Sequence, residues 1–144
     1  MELRNVLKIN TEFVKVKPRG VVTLKYSFLP GRIQVEADMS ALDSTECKEI
    51  LILNEQGSSF FRKYFDSDEI VLFDRQIGAW DRVEAEEASL SHAGGDLAFT
   101  LRNQKGARLY RGSEKVKERF SWSGLNYSLP RGARFFSYEI TLRC

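Results

Sequence analysis

The stretch GVVTLKYSFLPGRIQVEAD, residues 20–38, decides the fold. In its first half Val22, Leu24, Tyr26 and Phe28 fall on every second position, with Val21, Thr23, Lys25 and Ser27 between them. A period of two belongs to a β-strand, whose successive side chains point to opposite faces, and not to a helix. Pro30-Gly31 then brings a preset φ and a residue free to turn, after which Ile33, Val35 and Ala37 alternate with Gln34, Glu36 and Asp38. The stretch reads as a β-hairpin with one half-buried apolar face.

The same device recurs on both sides. Val6 to Ile9 and Phe13 to Lys17 read as short strands, the second closed by Pro18. Met39 to Glu46 is a polar bend with room for a helical turn, and Cys47 to Leu53, around Ile50-Leu51-Ile52-Leu53, suits a buried strand. Phe60 to Phe65 and Ile70 to Phe73 flank Asp66-Ser67-Asp68, a turn for a second hairpin. Trp80 to Leu90 fits two periods: Trp80, Val83, Glu87 and Ala88 suit a helix, while Val83, Ala85 and Ser89 suit a strand. The strand is preferred, because the loop His92-Ala93-Gly94-Gly95-Asp96 tolerates positive φ and Leu97 to Asn103 alternates again, so one long hairpin explains both sides.

In the last third, Gln104-Lys105-Gly106-Ala107 repeats the turn and joins Leu97–Asn103 to Arg108–Arg111, and Gly112-Ser113 precedes Lys115 to Trp122. The final segment places Phe136, Tyr138, Ile140 and Leu142 inward, against Phe135, Ser137, Glu139, Thr141 and Arg143 outward. About ten short strands at regular turn spacing, with no long helix, give an all-β chain. Its architecture is an antiparallel β-sandwich or jelly roll, with a closed lipocalin-like β-barrel as the alternative. Adjacent strand residues face opposite ways, so Phe60-Phe61 and Phe135-Phe136 must each point one ring away from the core.

The 144 residues match one domain spanning the whole chain, with 42% hydrophobic and 29% charged residues, far from the composition of disorder. No apolar run reaches the ~20 residues of a membrane span, and the first residues lack the apolar core of a secretory signal, so a cytoplasmic protein is expected. Cys47 and Cys144 form neither a disulfide scaffold nor a CxxC metal site; two independent thiols are expected, with a bridge between them the alternative.

Charge is sorted along the chain: residues 1–32 carry +5, residues 33–101 carry −10 and residues 102–144 carry +7. If the basic ends fold side by side, the molecule is a dipole suited to binding anions or copies of itself. With the outward phenylalanines, this points to a homo-oligomer.

The chemical inventory excludes more than it includes. One histidine, His92, leaves no multi-imidazole metal centre, and no phosphate-cradling loop or dinucleotide fingerprint is present, so no metal or cofactor is expected. Ser89, Ser91 and Asp96 lie near His92 in sequence, but none occupies a nucleophile elbow. Asp81, Glu84, Glu86 and Glu87 are the best hint of an enzyme. On a strand Glu84 and Glu86 share a face at about 7 Å, a separation that glycoside hydrolysis uses, although such acid pairs also mark a solvated face. Trp80 beside them suits a sugar ring. A second candidate surface is the basic stretch 102–119, in which Tyr110, Arg111, Lys115, Lys117 and Arg119 could hold nucleic acid or another anion. The leading expectation is a non-catalytic binding or assembly module acting through its sheet faces. Carbohydrate binding or turnover and anion binding are the alternatives.

Overall fold

The structure, a computed structural model, describes residues 18–57, 60–72, 80–92, 94–116 and 120–143, without the side chains of residues 114–116, 120 and 121. The hairpin is present: β1 (Thr23–Leu29) and β2 (Arg32–Asp38) pair antiparallel without a bulge from Thr23↔Asp38 to Leu29↔Arg32. Gly31 takes φ +70° at the turn, a conformation that favours glycine. The other strands are β3 (Glu49–Ile52), β4 (Glu55–Gly57), β5 (Phe61–Phe65), β6 (Ile70–Leu72), β7 (Asp81–Arg82), β8 (Glu87–His92), β9 (Ala98–Arg102), β10 (Arg108–Val116), β11 (Phe120–Pro130) and β12 (Phe135–Arg143). The described residues include no helix.

Two antiparallel sheets result, neither closed into a barrel. A seven-stranded sheet runs β1-β2-β12-β9-β8-β5-β6, and a five-stranded one runs β3-β11-β10-β7, with β4 also paired to β11. This is a β-sandwich, built by the alternation read above. Val35 of β2, Tyr64 of β5, Leu90 of β8, Phe99 and Leu101 of β9 and Tyr138 of β12 meet Leu109 of β10 and Leu125 and Tyr127 of β11 in one buried cluster. The outward rings fall as expected: Phe60 and Phe135 are exposed, while Phe61 packs on Phe99 at 5.7 Å and Phe136 on Tyr127 at 5.0 Å.

Several local expectations are corrected by pairing that sequence spacing does not encode. Leu24, Tyr26 and Phe28 sit beside buried Ala37, Val35 and partly buried Ile33 on the core face, yet they are 47%, 51% and 77% exposed. The five-stranded sheet covers β2 and stops short of β1, so β1 is not half-buried. Residues 47–53 are not fully buried either, because β3 is an edge strand with Ile50 and Ile52 inward and Leu51 and Leu53 exposed. Turn Gln104–Ala107 does not close a hairpin; it carries the chain from β9 in one sheet to β10 in the other. Gly112 does not end a strand but lies inside β10.

Trp80 to Leu90 divides into β7, an irregular link and β8. In the link Val83 and Ala85 are buried, and the Asn103 amide donates to both of their carbonyls, at 2.9 and 2.5 Å, replacing a missing ladder. The long β8–β9 hairpin and the β5–β6 hairpin form as read; Asp66 Oδ1 accepts the Asp68 and Glu69 N–H groups at the latter's turn. The strands expected at Val6–Ile9 and Phe13–Lys17 lie outside the described residues, as does Cys144, while Cys47 carries a free thiol. No helix among the described residues is long and apolar enough to cross a membrane.

Candidate functional site

On the outer face of the five-stranded sheet, register alone fixes a row of side chains. Leu53 lies beside Asn126 of β11, which pairs with Tyr110 of β10, which pairs with Arg82 of β7. The neighbouring pair on β10 and β11 is Gly112↔Gly124, where no side chain stands above the backbone. Trp80 lies across these two glycines: a Cβ on Gly112 would come within 2.5 Å of its indole, and one on Gly124 within 3.2 Å. Trp122 stacks on Trp80 at 4.8 Å. Two glycines thus act as a trough that holds an aromatic platform flat against the sheet.

Beside this platform a depression of about 190 Å³ is lined by Glu49, Leu51, Leu53, Trp80, Tyr110, Asn126 and Ser128. Its wall contains one anomaly. Asn126 is 3% exposed, and its Oδ1 accepts the N–H of Asn54 at 2.7 Å. A backbone N–H only donates, so the amide orientation is fixed and Nδ2 is the end left over. That Nδ2 is buried and has no partner. Asn54 itself is fully engaged: its Nδ2 donates to the Leu125 carbonyl at 3.1 Å, and its Oδ1 accepts the Tyr138 hydroxyl at 2.7 Å. The Ser128 hydroxyl bonds Glu49 Oε2 at the rim, where the depression opens into a wider cleft of about 1010 Å³ that also includes Cys47, Lys48, Arg108 and Arg131.

The structure separates the residues singled out from sequence. Trp80 and Tyr110 share the depression. Glu84 and Glu86 are both exposed, as alternation required, but Glu84 pairs with Arg82 at 3.1 Å and Glu86 lines a different hollow with Phe65, Asp66 and Ser67. Arg111 leaves the basic surface altogether. Its side chain is 14% exposed, lies 4.2 Å over the Tyr64 ring and pairs with Glu69 at 2.8 Å, which ties β10 to the β5–β6 hairpin. Lys115 is in β10 with its side chain not described, and Lys117 and Arg119 lie outside the described residues. His92 Nδ1 accepts the Gly94 N–H at 3.2 Å, and the Ser89 hydroxyl is bound to Thr100 at 2.7 Å, so these groups serve turn and sheet. Among the described residues no three His, Cys, Asp or Glu side chains converge as metal ligands.

Below Arg111, burial and the Asp66 carboxylate push the Tyr64 hydroxyl well above the ordinary tyrosine range. Burial pushes Asp66 up, but the Tyr64 hydroxyl and the Asp68 and Glu69 N–H groups outweigh it and hold the carboxyl below its ordinary value. This is a structural clamp.

The second unusual surface is the β1 edge of the seven-stranded sheet. Among the described residues β1 pairs only with β2, and Val21, Val22, Leu24, Tyr26, Phe28 and Leu29 are all exposed on or beside it. On the sheet's other face, exposed Phe135 lines a hollow of about 460 Å³ with Thr23, Lys25 and Glu36. Sequence reasoning missed Asn126 and Glu49. The available signal was the run Gly124-Leu125-Asn126-Tyr127-Ser128-Leu129, in which large apolar residues alternate with a face of small and polar ones. No family model, curated protein or solved structure matches this chain.

Proposed function

We propose that this chain is a non-catalytic assembly module that joins a second copy of itself through the β1 edge. The observation that carries the reading is the exposure of an apolar, seven-residue edge strand that carries no protective device among the described residues. Natural edges are blunted by short strands, proline, bulges or charge, because unpaired N–H and C=O groups recruit other chains. β1 has no proline and no bulge, and its one charge, Lys25, is neutralised by Glu36 at 2.6 Å.

A second copy fits this edge. In an antiparallel pair centred on Tyr26, Leu24 faces the partner's Phe28 and Lys25 faces the partner's Ser27, so apolar meets apolar and no like charges oppose. The two seven-stranded sheets would become one continuous sheet.

Sedimentation of the wild-type chain and of Tyr26→Lys tests this. The wild type is expected at twice 16.6 kDa, unaffected by added salt because the contact is apolar and backbone-mediated, and Tyr26→Lys at 16.6 kDa with unchanged circular dichroism. A monomeric wild type at every concentration refutes assembly. A dimer that survives both Tyr26→Lys and Phe28→Lys moves the contact away from β1.

A further inference from the structure

We infer that the depression beside Trp80 binds one neutral, hydroxylated ring, a pyranose sugar. Three independent features converge there, on the opposite sheet from β1.

The first is shape. At about 190 Å³ the depression is smaller than the ~300–1,000 Å³ of drug-sized ligand sites, so it takes one ring. The second is the aromatic lining: half-exposed Tyr110 offers its ring, and beside it runs the rim of Trp80, whose faces are taken by Gly112 and Gly124 on one side and by Trp122 on the other. The Tyr110 ring suits the C–H side of a sugar. The third is the pattern of polar groups. Asn126 Nδ2 is a buried donor without an acceptor, which a hydrocarbon ligand would leave orphaned. Glu49 at the rim has Oε2 engaged by Ser128, and its carboxylate is an acceptor seeking a hydroxyl donor. A ligand that accepts at one point and donates at another, with apolar faces between, is a polyol ring.

Charge sets neutrality. Arg82, next to Tyr110 in register, is already paired with Glu84, so it does not call for an anion. The adjoining cleft holds Lys48, Arg108 and Arg131 against Glu46 and Glu49, a balance that does not call for a cation. Asn126 Nδ2 is shut from water, so the ligand oxygen reaches it by a small movement of the depression's lining, which includes Asn126 and exposed Leu53. This reading makes Tyr110 the stacking residue, with Trp80 bordering it, and replaces Glu84 and Glu86 with Asn126 and Glu49 as the polar contacts.

The chain has two tryptophans, Trp80 and Trp122, and both belong to this platform, so indole emission reports on the site alone. The experiment titrates the whole chain with methyl glycosides of glucose, galactose, mannose and N-acetylglucosamine. A saturable emission change at millimolar concentration is expected for at least one. Asn126→Asp keeps the acceptor for Asn54 and removes the donor, and should weaken that binding roughly tenfold, the scale of one good hydrogen bond. Should that variant fail to fold, Tyr110→Ala, at a half-exposed position, must abolish the change instead. No response to any of the four sugars overturns the inference. So does binding that is unaffected by these variants, or a response to phenol with none to the sugars. The oligomeric state does not enter, so the outcome is independent of the assembly reading.

Discussion

At the residue scale, the two glycines of the central pair explain why a tryptophan can lie on a sheet at all. Gly112 has no need of an unusual backbone; its reason is close approach, since the indole occupies the space where a side chain would stand. Gly112→Ala should therefore lift Trp80 from the sheet, cost about 1–3 kcal/mol and shift tryptophan emission to the red. Gly132→Ala, where nothing lies within 4 Å, is the control and should change stability by less than about 0.5 kcal/mol. Equal melting of the two variants would remove the trough from the explanation. Trp80 and Tyr110 were legible in sequence as candidate ligand residues, because aromatic side chains announce themselves. Asn126 was not, because its significance lies in an acceptor that is missing, and an unpaired donor exists only once Asn54 has been brought to its other end.

At the element scale, hairpins were legible and sheets were not. β1–β2, β5–β6 and β8–β9 form where alternation meets turn chemistry, because both signals are local. The turn Gln104–Ala107 looked the same, yet β9 and β10 belong to different sheets, a choice made by the partners β12, β8 and β11 far away in sequence. β1 teaches the same lesson about burial. Alternation identified Leu24, Tyr26 and Phe28 as the core face, but whether a second sheet covers that face depends on where the five-stranded sheet ends.

At the scale of the whole molecule, ion pairs among the described residues join the charge blocks. Arg19 pairs with Glu46, Lys25 with Glu36, Arg102 and Arg143 with Glu87, and Arg111 with Glu69, each joining a basic end of the chain to its acidic middle. The acidic-block strand β2 separates β1 from β12. These pairs lie among the described residues, and the case for assembly rests on the apolar edge rather than on charge. Exposed pairs contribute little each, so stability rests on the core between the sheets.

That core gives an alkaline limit. Burial foremost pushes up the hydroxyls of Tyr64 and Tyr127, and pushes Tyr138 up to about 12. A raised value in the fold means the protonated form is favoured there. Its contribution is complete below pH 10, the ordinary tyrosine value, and is lost as pH rises from 10 through the folded value. Following tyrosinate absorbance beside circular dichroism should find that three of the five tyrosines ionise only as the β signal collapses. Smooth titration of all five in an intact fold would contradict burial of these rings.

The most direct test of self-pairing is hydrogen exchange across Thr23–Leu29 measured at low and high protein concentration. Pairing of β1 with a second copy predicts that amides of this strand slow as concentration rises, while those of β6, the opposite edge of the same sheet, do not. Exchange in β1 that is fast and independent of concentration would contradict it.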